Sequence, residues 1–127
     1  MSRRIINLTA SHPPEQATGV TFISVPEDAQ MRIRRLLAFE PKDVNCRTLT
    51  QRANTLAQIA AESGADTAMI GGAPFFQYFL VDALIDEEIE YCYPIYGIVA
   101  GQEVLANGLA CKVRRLEHVG YFFSDDR

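Results

Sequence analysis

The 127-residue chain lacks an apolar run long enough to cross a bilayer, so no membrane-spanning helix is predicted. Its first residues carry Arg3 and Arg4, but the apolar stretch behind them is short and broken by Asn7. That argues against a signal-peptide core. Cysteine is scarce: Cys46, Cys92 and Cys111 are odd in number, widely spread and form no CxxC pair. A disulfide framework and a zinc ribbon are thereby disfavoured, and free thiols in a reducing cytoplasm are expected. Only two histidines occur, His12 and His118, with no ligand partners at metal spacing, so no metal or other cofactor is expected. Lys and Arg number 12 against 16 Asp and Glu, for a net charge of −4. A protein that coats duplex nucleic acid needs a broad basic face, which this balance does not supply. There is no GxGxxG and no Walker loop, so neither a dinucleotide site nor ATP hydrolysis is supported. Internal repeats and low-complexity tracts are also missing.

What is present is a globular composition, 48% hydrophobic and 22% charged, in a length that suits a single domain over residues 1–127. Residues 5–9 and 20–25 are rich in β-formers and predict two strands. Between them, Ala10 to Pro14 is a stiff turn signal, and 14–18 has the makings of a one-turn helix ended by Gly19. Pro26, Glu27 and Asp28 open a helix to about Phe39. After a linker over 41–47, Thr48 or Thr50 offers a cap for a helix running to Ser63 and stopping at Gly64. Its Leu49, Ala53, Leu56, Ala57 and Ala60 fall on one face. A short apolar strand over 67–70 leads through Gly71-Gly72-Ala73-Pro74 into a helix over 75–86, with Phe76, Phe79, Leu80, Ala83 and Leu84 on one side. A strand over 90–99, interrupted by Pro94, and a final strand over 110–123 complete the reading, joined through an Asn107-Gly108 turn.

Alternating strands and helices predict right-handed βαβ units and an α/β fold. The specific expectation is a three-layer Rossmann-like sandwich, its sheet mainly parallel with an antiparallel edge. Ligands of such folds bind at the carboxyl ends of the strands, near the point where strand order reverses. The segments to inspect are therefore 9–12, 71–74 and 96–101.

Gly71, Gly72, Ala73 and Pro74 are the most informative of these. Two glycines permit a sharp turn and close approach of a ligand, and free N–H groups at the next helix start attract anions. The same residues serve equally as a tight connection without a ligand. Thr9, Ser11, His12, Glu15 and Gln16 form a polar cluster, in which a hydroxyl beside an imidazole suits ribose or phosphate binding or acid–base work. A helix-capping turn accounts for them as well. His118 is a lone strand histidine, more commonly structural. Lys112, Arg114 and Arg115 form a basic patch, able to meet phosphate or simply to blunt an edge strand. The acidic band Asp82, Asp86, Glu87, Glu88 and Glu90 has no calcium-loop spacing and reads as solvated surface. Tyr91, Tyr93 and Tyr96 suit an aromatic wall, a dimer face or ordinary packing.

Several of these motifs together resemble a known group. Ile5-Ile6-Asn7-Leu8-Thr9, His12-Pro13, Glu15-Gln16 and Gly19-Val20 are similar to the opening of a family of small bacterial and mobile-element proteins. The resemblance continues through Gln51-Arg52-Ala53, Leu56-Ala57 and Ala68 to Pro74, and closes on His118-Val119-Gly120. That group in turn looks like the stand-alone CRISPR-associated Rossmann-fold (CARF) proteins, which function in antiviral defence. The resemblance implies a homodimer that binds a cyclic oligonucleotide second messenger, such as cyclic oligoadenylate. It also implies cleavage by a ring-nuclease route without metal, in which the ribose 2′-hydroxyl attacks phosphorus. On that reading Thr9 and His12 are the catalytic candidates. Ser11, Gln16, Gly71, Gly72, Ala73, Pro74, Gln77, Tyr96 and His118 line the ligand. One departure stands out: Val99 and Gly101 occupy positions where the CARF relatives carry Ser or Thr and Arg. The alternative is a non-catalytic interaction module, a mobile-element accessory protein with an exposed apolar face for a protein partner.

Overall fold

A computed structural model describes residues 3–11 and 19–126. The chain is an α/β protein. Its elements are β1 (Arg3–Asn7), β2 (Val20–Phe22), α1 (Glu27–Leu36), a 3-10 turn at Pro41–Asp43, α2 (Cys46–Ser63), β3 (Thr67–Met69), α3 (Pro74–Asp86), β4 (Glu90–Val104) and β5 (Ala110–Phe123). The five strands form one sheet in the order β2-β1-β3-β4-β5. The first four are parallel, as the alternation of elements predicts, and β5 is antiparallel to β4, as the Asn107-Gly108 turn predicts. The helix expected over 14–18 lies outside the described residues.

The sheet is buried where its strands are shortest. Ile6, Leu8, Ala68 and Ile70 turn to one face and meet Ile33 of α1, the predicted stripe of α2, and Phe76, Leu80, Ala83 and Leu84 of α3. Ile5, Val20, Met69 and Cys92 turn to the other face, backed by Phe22, Tyr121 and Phe123. The alternation follows from the pleat. All three described helices therefore pack on one side, and a helical layer on both sides is not found among the described residues. The cause is topological. The connections β2→β3 and β3→β4 step in the same direction across the sheet, and right-handed crossovers taken in one direction land on one face.

The structure corrects several boundaries. The side chain of Asn45, not Thr48 or Thr50, caps α2, accepting from the Thr48 backbone N–H at 2.9 Å. Gly64 ends that helix as expected, at φ +80°. β1 covers Arg3–Asn7 rather than 5–9, because the Asn7 side chain bonds the turn that follows it, and β2 ends at Phe22, short of the predicted end at Val25. β4 runs through Pro94 to Val104 without interruption. Its even-numbered residues bond toward β3, as Ile70 N–H does to the Cys92 carbonyl, while Tyr91 accepts from Ser124 N–H on the β5 side. At residue 94 the β3 strand has already ended, so proline's missing N–H leaves no ladder bond unmade.

The Asn107-Gly108 turn forms as expected. Gly108 sits at φ +85° and donates to the Leu105 carbonyl at 2.9 Å, while the Asn107 side chain accepts from Leu109 N–H. Beyond Pro94, β4 and β5 pair only with each other. They leave the sheet as a two-stranded ribbon of about 33 Å, at roughly 3.3 Å per residue.

Candidate functional site

Strand order reverses between β1 and β3: from β1 the chain goes first to β2 on one side, then crosses to β3 and β4 on the other. The carboxyl ends that flank this reversal are Leu8–Thr9 and Ile70–Gly71. They are held in register, with Leu8 N–H donating to the Met69 carbonyl at 2.9 Å. Thr9 Cγ2 lies 3.9 Å from where a Cβ on Gly71 would sit. Two segments singled out by sequence are thus brought side by side at the position where open α/β sheets bind ligands.

The turn after β1 is built by a residue the sequence reading left inside a motif without a role. Asn7 Oδ1 accepts from the Thr9 backbone N–H at 2.9 Å and from Thr9 Oγ1 at 2.6 Å. Asn7 Nδ2 donates to the Ser11 carbonyl at 2.8 Å. This is an Asx turn, and an Asn at a strand end followed two residues on by Thr is its sequence signal. It fixes Thr9 half-buried and leaves the Ser11 side chain exposed. His12 and Gln16 lie outside the described residues.

On the β2 side of Thr9 is a cavity of about 220 Å³. Its polar lining comes from Asn7, Thr9, Ser11, Ser24, Gln30 and Arg34. Gln30 Nε2 donates to the Val25 carbonyl at 2.7 Å and so holds the end of the β2 segment against α1. Arg34 follows Gln30 by one helical turn, which places both on the cavity face of α1. Arg34 has no ion pair among the described residues. Ser24, Gln30 and Arg34 were not predicted; the i, i+4 polar pair on α1 was the available signal.

On the β3 side, Gly72 takes φ +101°, a backbone state that L side chains rarely adopt. Ala73 begins α3 without a side-chain cap, and Pro74 is its first residue. Pro74 has no N–H and the Phe76 N–H donates to the Ala73 carbonyl at 3.1 Å, so the helix start offers the Phe75 N–H beside the glycine turn. Gln77 clamps this loop: its Nε2 donates to the carbonyls of Gly71 at 3.1 Å and Ala73 at 3.3 Å. Its Oε1 is buried without a hydrogen-bond partner among the described residues.

Tyr96 and His118 form a separate group on the ribbon. They are a cross-strand pair beside a β-bulge, with ring centroids 5.7 Å apart, and His118 stacks edge-on against Tyr121 at 4.6 Å. His118 Nε2 and the Tyr121 hydroxyl are both buried without a partner among the described residues. Burial raises the Tyr121 pKa above its usual value, with smaller contributions from Cys92 and Tyr96. This group continues the second apolar cluster, on the face away from the helices. The Val99 and Gly101 positions lie farther out. Arg115 Nη2 is 3.4 Å from where a Gly101 Cβ would be, so the adjacent strand supplies a guanidinium where Gly101 has no side chain.

The arrangement at the strand ends can orient hydroxyl-bearing groups and hold an anion. Comparison with known protein families, characterised proteins and solved structures finds no match, so the site stands on this geometry alone.

Proposed function

We propose that the strand-end crevice binds a phosphate-bearing nucleotide ligand, specifically a cyclic oligonucleotide of the second-messenger type. The observation that carries the reading is the juxtaposition of Thr9 with Gly71 at the reversal point. Beside it lies a cavity lined in part by polar side chains, among them Arg34, which has no ion pair among the described residues. Hydroxyls and amides suit ribose and base edges, and Arg34 with the Phe75 N–H at the start of α3 suits phosphate. The 2-1-3-4 parallel core supports a Rossmann-like reading of the domain. Cleavage would require a 2′-hydroxyl to be aligned on phosphorus, with Thr9 and His12 as the groups to align it; the new O–P bond replaces the P–O5′ bond, leaving a 2′,3′-cyclic phosphate and a 5′-hydroxyl that takes up the proton the 2′-hydroxyl loses.

The test is to incubate the protein, with EDTA, against cyclic di-, tri-, tetra- and hexanucleotides, following melting temperature and products by mass spectrometry. A ligand that binds the native state raises its melting temperature. The expected result is a shift that Arg34→Ala weakens by about tenfold in affinity, the size of one charge-assisted hydrogen bond. Linear products lost in His12→Ala would add the ring-nuclease activity. No shift with any ring size overturns the reading. The interaction-module alternative has one observation in its favour, the exposed apolar side chains of the β4–β5 ribbon.

A further inference from the structure

The ribbon of β4 and β5 holds most of the large hydrophobic side chains that stand exposed among the described residues. Ile98, Val104 and Leu116 are 71%, 72% and 70% exposed. A two-stranded ribbon is marginal in water on its own, and a contiguous apolar exposure marks an interface. Cross-strand partners share a face, so Ile98 with Leu116, Ala100 with Arg114, and Gln102 with Lys112 line one side in succession. That side is an apolar step followed by two cations. Neither Arg114 nor Lys112 has an ion pair among the described residues.

The outer face of α3 is the complement. Tyr78, Asp82 and Ile85 recur at i, i+4 and i+7, with Tyr78 76% and Ile85 59% exposed. With Val81, Gln77 and Tyr93 they line a shallow groove of about 310 Å³. Asp82 and Asp86 also have no ion pair among the described residues. The sequence offers them none nearby, since no Lys or Arg occurs between Arg52 and Lys112. The chain's own ribbon cannot answer them. It springs from Tyr93 at the groove and runs outward, so the Ala100–Arg114 pair lies about 23 Å farther along.

We propose that the groove on α3 is filled by the ribbon of a second copy of this chain, and that the exchange is reciprocal about a two-fold axis. Ile98 and Leu116 of one copy seat on Tyr78 and Ile85 of the other, and Arg114 and Lys112 meet Asp82 and Asp86. A two-fold contact of this kind is self-complementary and closes on itself. It does not rest on the ligand reading.

The test uses two charge-reversed proteins, Lys112→Glu with Arg114→Glu, and Asp82→Lys with Asp86→Lys. Sedimentation of the unaltered protein at micromolar concentration is expected to give a dimer, and each variant alone a monomer with an unchanged circular-dichroism spectrum. Mixed in equal amounts, the two variants are expected to form a heterodimer in native mass spectrometry, because both of its contacts again pair opposite charges. A monomeric unaltered protein overturns the proposal. So does a dimer that survives Asp82→Lys with Asp86→Lys, which would point to ribbon-on-ribbon pairing, or a mixture that stays monomeric. Should a charge variant fail to fold, Leu116→Asp replaces it: the side chain is exposed, and a dimer unaffected by this change overturns the proposal equally.

Discussion

At the scale of single residues, two side chains decide more than their types suggest. Asn7 makes three hydrogen bonds that shape the turn after β1 and set the position of Thr9. Asn7→Ala is expected to cost about 1–3 kcal/mol in denaturant unfolding, because part-buried donors lose their acceptor. It should also weaken any ligand at the strand ends more than Ser11→Ala does, since the Ser11 side chain is exposed and only its carbonyl is bonded. Cys92 is the second case. It is fully buried in the second cluster, and burial pushes its thiol pKa up to about 12, only partly opposed by Arg3. Alkylation at neutral pH should modify the exposed Cys46 and Cys111 rapidly and leave Cys92 unmodified until the chain unfolds. A thiol raised in the folded state stabilises fully below its unfolded value of about 9. That contribution is lost as pH climbs from there toward 12. Melting temperature should therefore fall more steeply over this alkaline window in the unaltered protein than in Cys92→Ala.

At the scale of elements, the β3–α3 connection separates two glycines that look alike in sequence. Gly72 holds φ +101°, whereas Gly71 has no positive φ and a Cβ there would meet only Thr9 Cγ2, at an ordinary contact distance. Gly72→Ala is expected to destabilise by about 1–2 kcal/mol, the usual cost of a left-handed backbone bearing a side chain. Gly71→Ala should be close to neutral in stability, and its effect should appear in ligand affinity instead. Equal losses of stability in both variants, measured by urea unfolding, would contradict this account. Asn45→Ala should cost about 1 kcal/mol through the lost cap of α2, while Thr50→Ala should cost less.

At the scale of the whole molecule, the two ends of the described chain are clasped. The Arg3 guanidinium meets Asp125 at 2.6 Å and lies 3.9 Å over the Phe123 ring. The hydrogen bond to Arg3 holds the Asp125 carboxyl below its usual pKa. A depressed carboxylate stabilises above its unfolded value and loses that contribution as pH falls through the folded one. Asp125→Asn should thus lower the melting temperature slightly at neutral pH, and the difference should vanish in acid and shrink in high salt. The ribbon is the other whole-molecule feature. It projects from the same sheet edge that carries the strand-end crevice, because β4 runs parallel to β3 and simply continues past it. No described helix is long and apolar enough to cross a membrane.

Local signals along the chain were enough for the elements and their inward faces. Period-3.6 spacing picked out all five buried residues of α2 and the packed side of α3, alternation pointed to a mostly parallel sheet, and the Asn107-Gly108 turn to its antiparallel edge. Those features are local, so a single chain segment carries their whole signal. Those signals also marked Thr9 and Gly71 as strand-end residues, but not that they lie side by side. Their adjacency comes from the folded sheet, because strand order is set by which crossovers the core permits. The tertiary structure likewise put α1, α2 and α3 on one face, carried β4 through Pro94, and placed Arg115 beside Gly101. It joined Ser24, Gln30 and Arg34 to the β1 turn in one cavity. Each of these depends on contacts between residues distant in sequence, where periodicity and propensity carry no information.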